Sequence, residues 1–261
     1  MSGRSSRRRR GRAAHGRRSG GPGCFSVLLL LVLVVAALGA VSAIFFRIEN
    51  IDVSGIERYR ADEVRTASGM EQGDNLIFFN KFSAISRIFE ALPYVEEVKM
   101  RRSLPDTLVI EVQETYAAAF VEQGGEYWLL SPKAKLLEKT SLRSEDVIEV
   151  RGLELSDPVI GERAQPAGED TAKVDSLVDV MDALEAAEML SAVSMISLEG
   201  VYDVTFTFLD RFTVELGMPE QLDYKLEFLL EIVDRLGSSE AGTIDMSSLT
   251  EDGEVLFRPR T

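Results

Sequence analysis

Leu92-Pro-Tyr-Val-Glu-Glu-Val-Lys-Met-Arg-Arg-Ser-Leu-Pro-Asp-Thr-Leu-Val-Ile-Glu-Val-Gln-Glu114 reads as two strands joined by a tight turn. Leu108, Ile110 and Val112 alternate with polar neighbours, the period of a sheet with one buried face. The spacing predicts strands over Val95–Arg102 and Thr107–Glu114, with Ser103-Leu-Pro-Asp106 as the turn. Pro93 denies a helix the next backbone donor, so any helix before it stops by Leu92.

Upstream of this stretch the period changes. Phe82, Ile85, Ile88, Phe89 and Leu92 fall at helical spacing behind Asn80, a side chain suited to capping the free amides of a first turn. Asp62 to Ala67 forms an earlier short helix closed by Gly69, and Ile48, Ile51 and Val53 mark a strand ending at Ser54-Gly55. The order is strand, helix, helix, strand, strand, enough for a small two-layer unit with both helices on one sheet face.

Downstream, strands are predicted at Ala117–Glu122, Glu126–Leu130 across Gly124-Gly125, Leu136-Leu137 and Val147–Val150. Trp128 is read as a sheet anchor. A helix follows with Val174, Leu177, Val178, Met181 and Leu184 on one face. Then comes a meander of Met195–Leu198, Val204–Phe208 and Phe212–Leu216 that turns at Asp210-Arg211. Pro219 is placed in the first turn of a last helix with Leu222, Leu226, Leu229, Leu230 and Val233 inward and Gly237 as its stop. Thr243–Met246 and Glu254–Phe257 are the final strands. The expected fold class is α+β: an N-terminal transmembrane helix, a small β-α-α-β-β unit, and a larger mixed α/β domain with antiparallel strands.

Charge divides the chain. The 261 residues carry a formal charge of -14, with 29 Lys and Arg against 43 Asp and Glu. Residues 1–23 hold Arg4, Arg7, Arg8, Arg9, Arg10, Arg12, Arg17 and Arg18 and no acid, so the remainder is more acidic than the whole. Cys24 to Phe46 contains no charged side chain, and a bilayer core needs roughly 20 apolar residues as a helix. Positive charge stays on the cytosolic side, which predicts a single-pass type II protein with Arg47 onward outside the cytosol and Phe45 and Phe46 at the far face. Val41-Ser42-Ala43 offers small residues for signal cleavage, but a secretory apolar core is about 7 to 15 residues and this one is longer. Beside a span, an arginine cluster sets topology and meets lipid head groups; without an aromatic to stack a base it does not predict nucleic-acid binding.

From Arg47 to Thr261 there is no histidine and no cysteine. A Ser-His-Asp or Cys-His nucleophile has no base there, a typical zinc site has no ligands, and no phosphate loop or EF-hand spacing occurs. The reading is therefore no enzyme, no catalytic residue, no cofactor and no metal. A wall hydrolase using only carboxylates is the enzymatic alternative, opposed by the placement of acids such as Glu185, Glu188, Asp223, Glu227 and Glu231 on polar helix faces and beside turns. A strand at Glu254–Phe257 either offers a sheet edge to another protein or, blunted by Glu254, Arg258 and Pro259, merely closes the domain.

The basic tail, the span, the opening Phe46-Arg-Ile-Glu-Asn-Ile-Asp-Val-Ser-Gly55, the segment Gly69-Met-Glu-Gln-Gly-Asp-Asn-Leu76 and the run Leu92–Glu114 together resemble the bacterial cell-division family FtsQ/DivIB, with the run typical of a POTRA domain. Val147-Ile-Glu-Val-Arg-Gly152 and Gly242-Thr-Ile-Asp-Met246 resemble recurrent segments of that family's β-rich domain. Ser131-Pro-Lys-Ala-Lys135 departs from it, where many members carry Asp and Gly. The resemblance implies a division into a basic cytosolic tail (1–23), a transmembrane helix (24–46), a POTRA-like domain (47–115), a β-rich domain (116–258) and a short C-terminal end (259–261). It further implies a non-enzymatic scaffold at the division septum of the plasma membrane. Its partners would be single-pass division proteins of the FtsL and DivIC/FtsB types and, through them, the septal peptidoglycan synthase. Partner binding then falls on Thr243, Ile244, Asp245, Met246, Val255, Leu256 and Phe257 as a binding edge. An envelope sensor or adaptor with a POTRA domain is the other non-enzymatic alternative.

Overall fold

The computed structural model of the chain describes residues 24–168, 172–200, 202–248 and 255–260. The arginine-rich tail lies outside them. Cys24–Phe45 forms one α-helix of 22 residues, α1, without a charged side chain. Among the described residues no helix is long and apolar enough to cross a membrane.

The first folded unit follows the predicted order: β1 (Asn50–Ser54), α2 (Ala61–Ser68), α3 (Lys81–Ala91), β2 (Val95–Ser103) and β3 (Thr107–Glu114). The sheet order is β1-β3-β2, with β1 parallel and β2 antiparallel to β3. The punctuation works locally as read. Gly69 caps α2 in the left-handed region, the Asn80 carboxamide oxygen accepts from the Ser83 amide at 3.2 Å, and α3 ends before Pro93. Ile51, Val64, Ala84, Ile88, Val98, Leu108, Ile110 and Val112 form the core. Gly55 leaves β1 at φ 77, where a Cβ would meet the Val112 carbonyl oxygen at 2.1 Å. One expectation fails: Phe82 is exposed, and the buried line of α3 runs through Ala84 and Ile88 with Ile85 and Phe89 beside it. Phe82 lies off the line through Ala84 and Ile88 that meets the core.

The second unit is one nine-stranded sheet in the order β12-β11-β10-β9-β8-β7-β4-β5-β6. Its elements are β4 (Ala119–Gln123), β5 (Glu126–Leu130), β6 (Leu136–Thr140), β7 (Ile148–Arg151), α4 (Ala172–Ala186), β8 (Val193–Gly200), β9 (Asp203–Phe208), β10 (Phe212–Gly217), α5 (Leu222–Arg235), β11 (Gly242–Asp245) and β12 (Leu256–Pro259). The expected antiparallel strands are present, and parallel pairs join them. β7 runs parallel to β4 and β8, and β10 runs parallel to β11. α4 returns the chain to the same end of the sheet between β7 and β8, α5 does so between β10 and β11, and β5 with β6 does so between β4 and β7. Leu177, Met181, Leu184, Leu226 and Leu229 pack over Ile196, Phe206, Val214 and Ile244. Leu230 is exposed, and Pro219 lies outside α5, whose N-cap is Gln221 in the left-handed region. Trp128 is partly buried against this core with the Lys139 ammonium 5.2 Å from its ring centre.

The two units touch through Tyr94, Phe120, Leu129 and Leu137, a small buried cluster against which Tyr59, Ala117, Tyr127 and Val147 pack. Arg58 lies 3.7 Å from the centre of the Tyr94 ring and 3.7 Å from a Glu138 carboxylate oxygen. The Lys135 ammonium donates to the Val95 carbonyl at 2.8 Å. On the first unit's side, the Glu114 carboxylate accepts from the amides of Glu57, Arg58 and Tyr59 at 2.9, 2.6 and 3.0 Å, which fixes the loop that carries Arg58.

Candidate functional site: the β11–β12 edge

The residues expected to form one binding edge occupy two strands with different roles. β11 lies inside the sheet, between β10 and β12. Its backbone is spent on both sides: the Gly242 and Met246 amides donate to Arg211 and Glu215 carbonyls next to β10, at 3.1 and 2.8 Å. Thr243–Asp245 can therefore contribute side chains to a binding edge, with the outer backbone left to β12. β12 is the edge strand, and it runs Leu256–Pro259 rather than Glu254–Phe257; Glu254 lies outside the described residues. Strand pairing thus extends through Pro259, because Arg258 and Pro259 complete the register with Thr243 and Gly242.

That register fixes which groups are free. The Arg260 amide donates to the Ala241 carbonyl at 2.8 Å, and in an antiparallel pair hydrogen-bonded positions recur every second residue. Leu256 and Arg258 consequently turn their backbone groups inward to Asp245 and Thr243. Phe257 and Pro259 turn theirs outward, and Pro259, having no N–H, fits the outward position. The free edge presents the Phe257 N–H and C=O and the Pro259 C=O.

Side chains sort by the same register, since directly opposed residues share a face. Ile244 and Phe257 lie on the helix side; Ile244 and Met246 are fully buried, Val255 and Phe257 pack partly against the core, and the Phe257 ring meets Phe212 edge-on at 6.4 Å. Thr243 with Arg258, and Asp245 with Leu256, lie on the opposite face. Leu256 is 56% exposed there. The Arg258 guanidinium is 2.7 Å from the Asp245 carboxylate and 3.9 Å from Glu215. The Ser247 hydroxyl and amide donate to Asp245 at 2.7 and 3.1 Å. That hydroxyl bond, followed by the amide and Arg258, holds the Asp245 carboxyl below its ordinary range against the opposing effect of burial.

Arg258 and Ser247 were not among the expected site residues. The signal was present for Arg258, a charged side chain alternating with Phe257 in a strand. Gly242 was missed as well: a Cβ there would stand 2.2 Å from the Arg258 carbonyl oxygen, so only glycine lets β12 close on β11.

A second concavity, a cleft of about 790 Å³, is lined by carboxylates of Glu145, Asp146, Glu185, Glu188 and Asp210. The Tyr116 hydroxyl donates to Glu185 at 2.7 Å; burial, with that bond, pushes the phenol up to about 12. Among the described residues no group of three His, Cys, Asp or Glu is placed to hold a metal ion.

Comparison with known proteins fits both units. The POTRA domain of FtsQ type matches residues 46–115, and the FtsQ/DivIB C-terminal domain matches residues 119–247. This chain belongs to the FtsQ/DivIB family. The cell division protein DivIB of Clostridium botulinum (strain Loch Maree / Type A3) is 25% identical over 224 residues, spanning 85% of this chain and 86% of the relative. The cell division protein FtsQ of Corynebacterium glutamicum is 25% identical over 219 residues, 81% of this chain and 90% of the relative. FtsQ of Geotalea daltonii is 28% identical over 198 residues, 74% and 68% of the respective chains. The FtsQ/DivIB relatives are thus named for cell division. The first unit is the POTRA domain, and β4–β11 fall within the family's C-terminal region.

Proposed function

We propose that the chain is a non-enzymatic scaffold of the bacterial division machinery, anchored in the plasma membrane by α1 with its N-terminus in the cytosol and concentrated at the septum. It links single-pass proteins of the FtsL and DivIC/FtsB types and, through them, the septal peptidoglycan synthase. The observation that carries this reading is the outer edge of β12, which pairs with no strand among the described residues. An extended partner segment laid along it accepts from the Phe257 amide and donates to its carbonyl, while Leu256, Thr243 and Arg258 offer side-chain contacts on the open face.

The anchor is supported by α1 itself. In the sequence, Cys24–Phe46 runs without a charged side chain, against the roughly 20 apolar residues a bilayer core needs. Leu28, Leu30, Leu31, Leu33 and Val35 are all exposed, and leaving each in water costs about 1.5–3 kcal/mol relative to an apolar surround. Eight arginines precede it. Depletion of the protein gives filamentous cells, and a tagged copy gathers at midcell. Normal division with an even membrane signal would reject the proposal, and release of soluble fragments from peptidoglycan by the purified protein would reject its non-enzymatic part.

A further inference from the structure

Within residues 46–115 the exposed large apolar side chains are Phe78, Phe82 and Leu104, at 69%, 81% and 60% exposure. Leu104 is distant in sequence from the other two, yet the fold brings all three to the end of the POTRA domain that follows α1. The Leu76 amide donates to the Phe46 carbonyl at 2.8 Å, one residue after α1 ends. The Ile48 amide donates to Asp74 and the Gly73 amide to Ile48, both at 2.8 Å. Phe78 lies two residues past Leu76, so its Cα is within about 7 Å of a residue bonded to the helix end. Phe82 opens α3 one turn later. Leu104 sits in the β2–β3 turn, whose Asp106 carbonyl accepts from the Glu49 amide at 2.8 Å.

The loop that carries Phe78 is held in place. Arg102 Nε, from β2, donates to the Leu76 carbonyl at 2.7 Å, and the guanidinium lies 4.8 Å from the Phe79 ring centre. At the opposite end of the same domain Tyr94 meets the second unit. The POTRA domain therefore has a polar orientation: a fixed joint at one end, and exposed phenylalanines and a leucine at the end where the apolar helix begins.

We infer that Phe78, Phe82 and Leu104 form a foot that inserts into the outer leaflet of the bilayer around α1, holding the POTRA domain against the membrane surface. The inference rests on α1 being the anchor. Charges at this end are of both signs, with Arg47, Lys81 and Arg102 among Glu49, Asp74 and Asp106. Insertion is therefore driven by apolar burial, with the side chains entering about 5–10 Å, and does not need anionic lipid.

The test is depth-dependent quenching on the full chain in phosphatidylcholine vesicles with brominated acyl chains. In a Trp128→Phe background, single tryptophans replace Phe78, Phe82, Leu104, Leu31 and Leu142. All five positions are exposed, so the substitutions leave the core intact. Tryptophan at 78, 82 and 104 emits to the blue and loses about half or more of its emission, without dependence on salt. Leu31→Trp, inside α1, is quenched throughout, and Leu142→Trp, in the second unit, is not. Quenching at 31 without quenching at 78, 82 and 104 overturns the foot and leaves the anchor standing. No quenching at 31 overturns both. Equal quenching at 142 overturns the foot by showing indiscriminate adsorption. A blue shift at 78 and 82 that appears only with a partner protein overturns it in favour of a protein contact.

Discussion

The Arg258 guanidinium and the Asp245 carboxylate meet at 2.7 Å across the β11–β12 pair, on the face away from the helices. The outermost strand of a nine-stranded sheet is thereby held by a charge pair in addition to its short ladder. Arg258→Ala removes the clamp and leaves the ladder. Arg258 is about half exposed, so the cost is about 0.5–1 kcal/mol, read as roughly two- to fivefold faster amide exchange at Leu256, Arg258 and Arg260 with β9 unchanged. The same contact carries an acid dependence. The folded Asp245 carboxyl is held below its ordinary value of 3.8, so its stabilisation is present above that value and is lost as pH falls through the folded one. β12 frays in acid ahead of β9, and Asp245→Asn flattens that difference.

Proline separates the two edges of β12. At Phe257 the N–H faces outward, so Phe257→Pro deletes a donor offered to a partner and leaves the pairing with β11 in place. At Leu256 the N–H faces Asp245, so Leu256→Pro breaks the ladder itself. Capture of a purified DivIC/FtsB-type partner falls about tenfold or more in the first variant, beyond the loss in a Phe257→Ala control that removes only the ring contact with Phe212. Circular dichroism stays unchanged. Equal capture by Phe257→Pro and Phe257→Ala would place the partner elsewhere.

Gly242→Ala puts a methyl 2.2 Å from the Arg258 carbonyl oxygen, with backbone on both sides of the contact. Overpacking of this kind costs about 1–3 kcal/mol, and β12 is the element free to yield. Exchange protection is lost at Leu256 and Arg258, while thermal unfolding of the remaining sheet moves little.

The joint between the units has an alkaline signature. Burial, then the neighbouring Glu138 charge, raises the Tyr94 phenol to about 12 from an ordinary 10.0. Tyr94 therefore stabilises the folded state fully below pH 10 and loses that contribution as pH rises through about 12. Tyrosinate absorbance at this residue, isolated by difference against Tyr94→Phe, titrates late. Tyr59→Phe, which strips the acceptor 3.2 Å from the Tyr94 amide, costs about 1–2 kcal/mol and loosens the same joint.

Local grammar was readable in the sequence wherever one segment decides its own shape. The alternation of Leu108, Ile110 and Val112, the Asn80 cap and the Gly69 stop specify the β-α-α-β-β unit without reference to distant residues. Strand order is different. Thr243–Met246 looks like any short strand, and nothing within four residues tells that β12 will cover it. The parallel pairs were not legible for the same reason, since they depend on how α4, α5 and the β5–β6 hairpin carry the chain back across the sheet. Arg258 and Pro259 suggested blunting, yet they pair, because register with Thr243 and Gly242 outweighs the weak strand preference of proline. Phe82 satisfies helical spacing and still faces out, since the line of α3 that meets the core runs through Ala84 and Ile88.

At the other margin of the sheet, the Leu136 amide and carbonyl at the start of β6 are taken by Glu162 and Gly161, and Ala134 accepts from Ala164. The two margins are therefore unequal: one is capped by the chain's own 161–164 segment where β6 begins, the other, among the described residues, ends in bare backbone at Phe257. On the proposed reading, a strand added along β12 presents its own outer side as the next margin, so the length and charge of that segment, rather than this chain, decide whether pairing goes further.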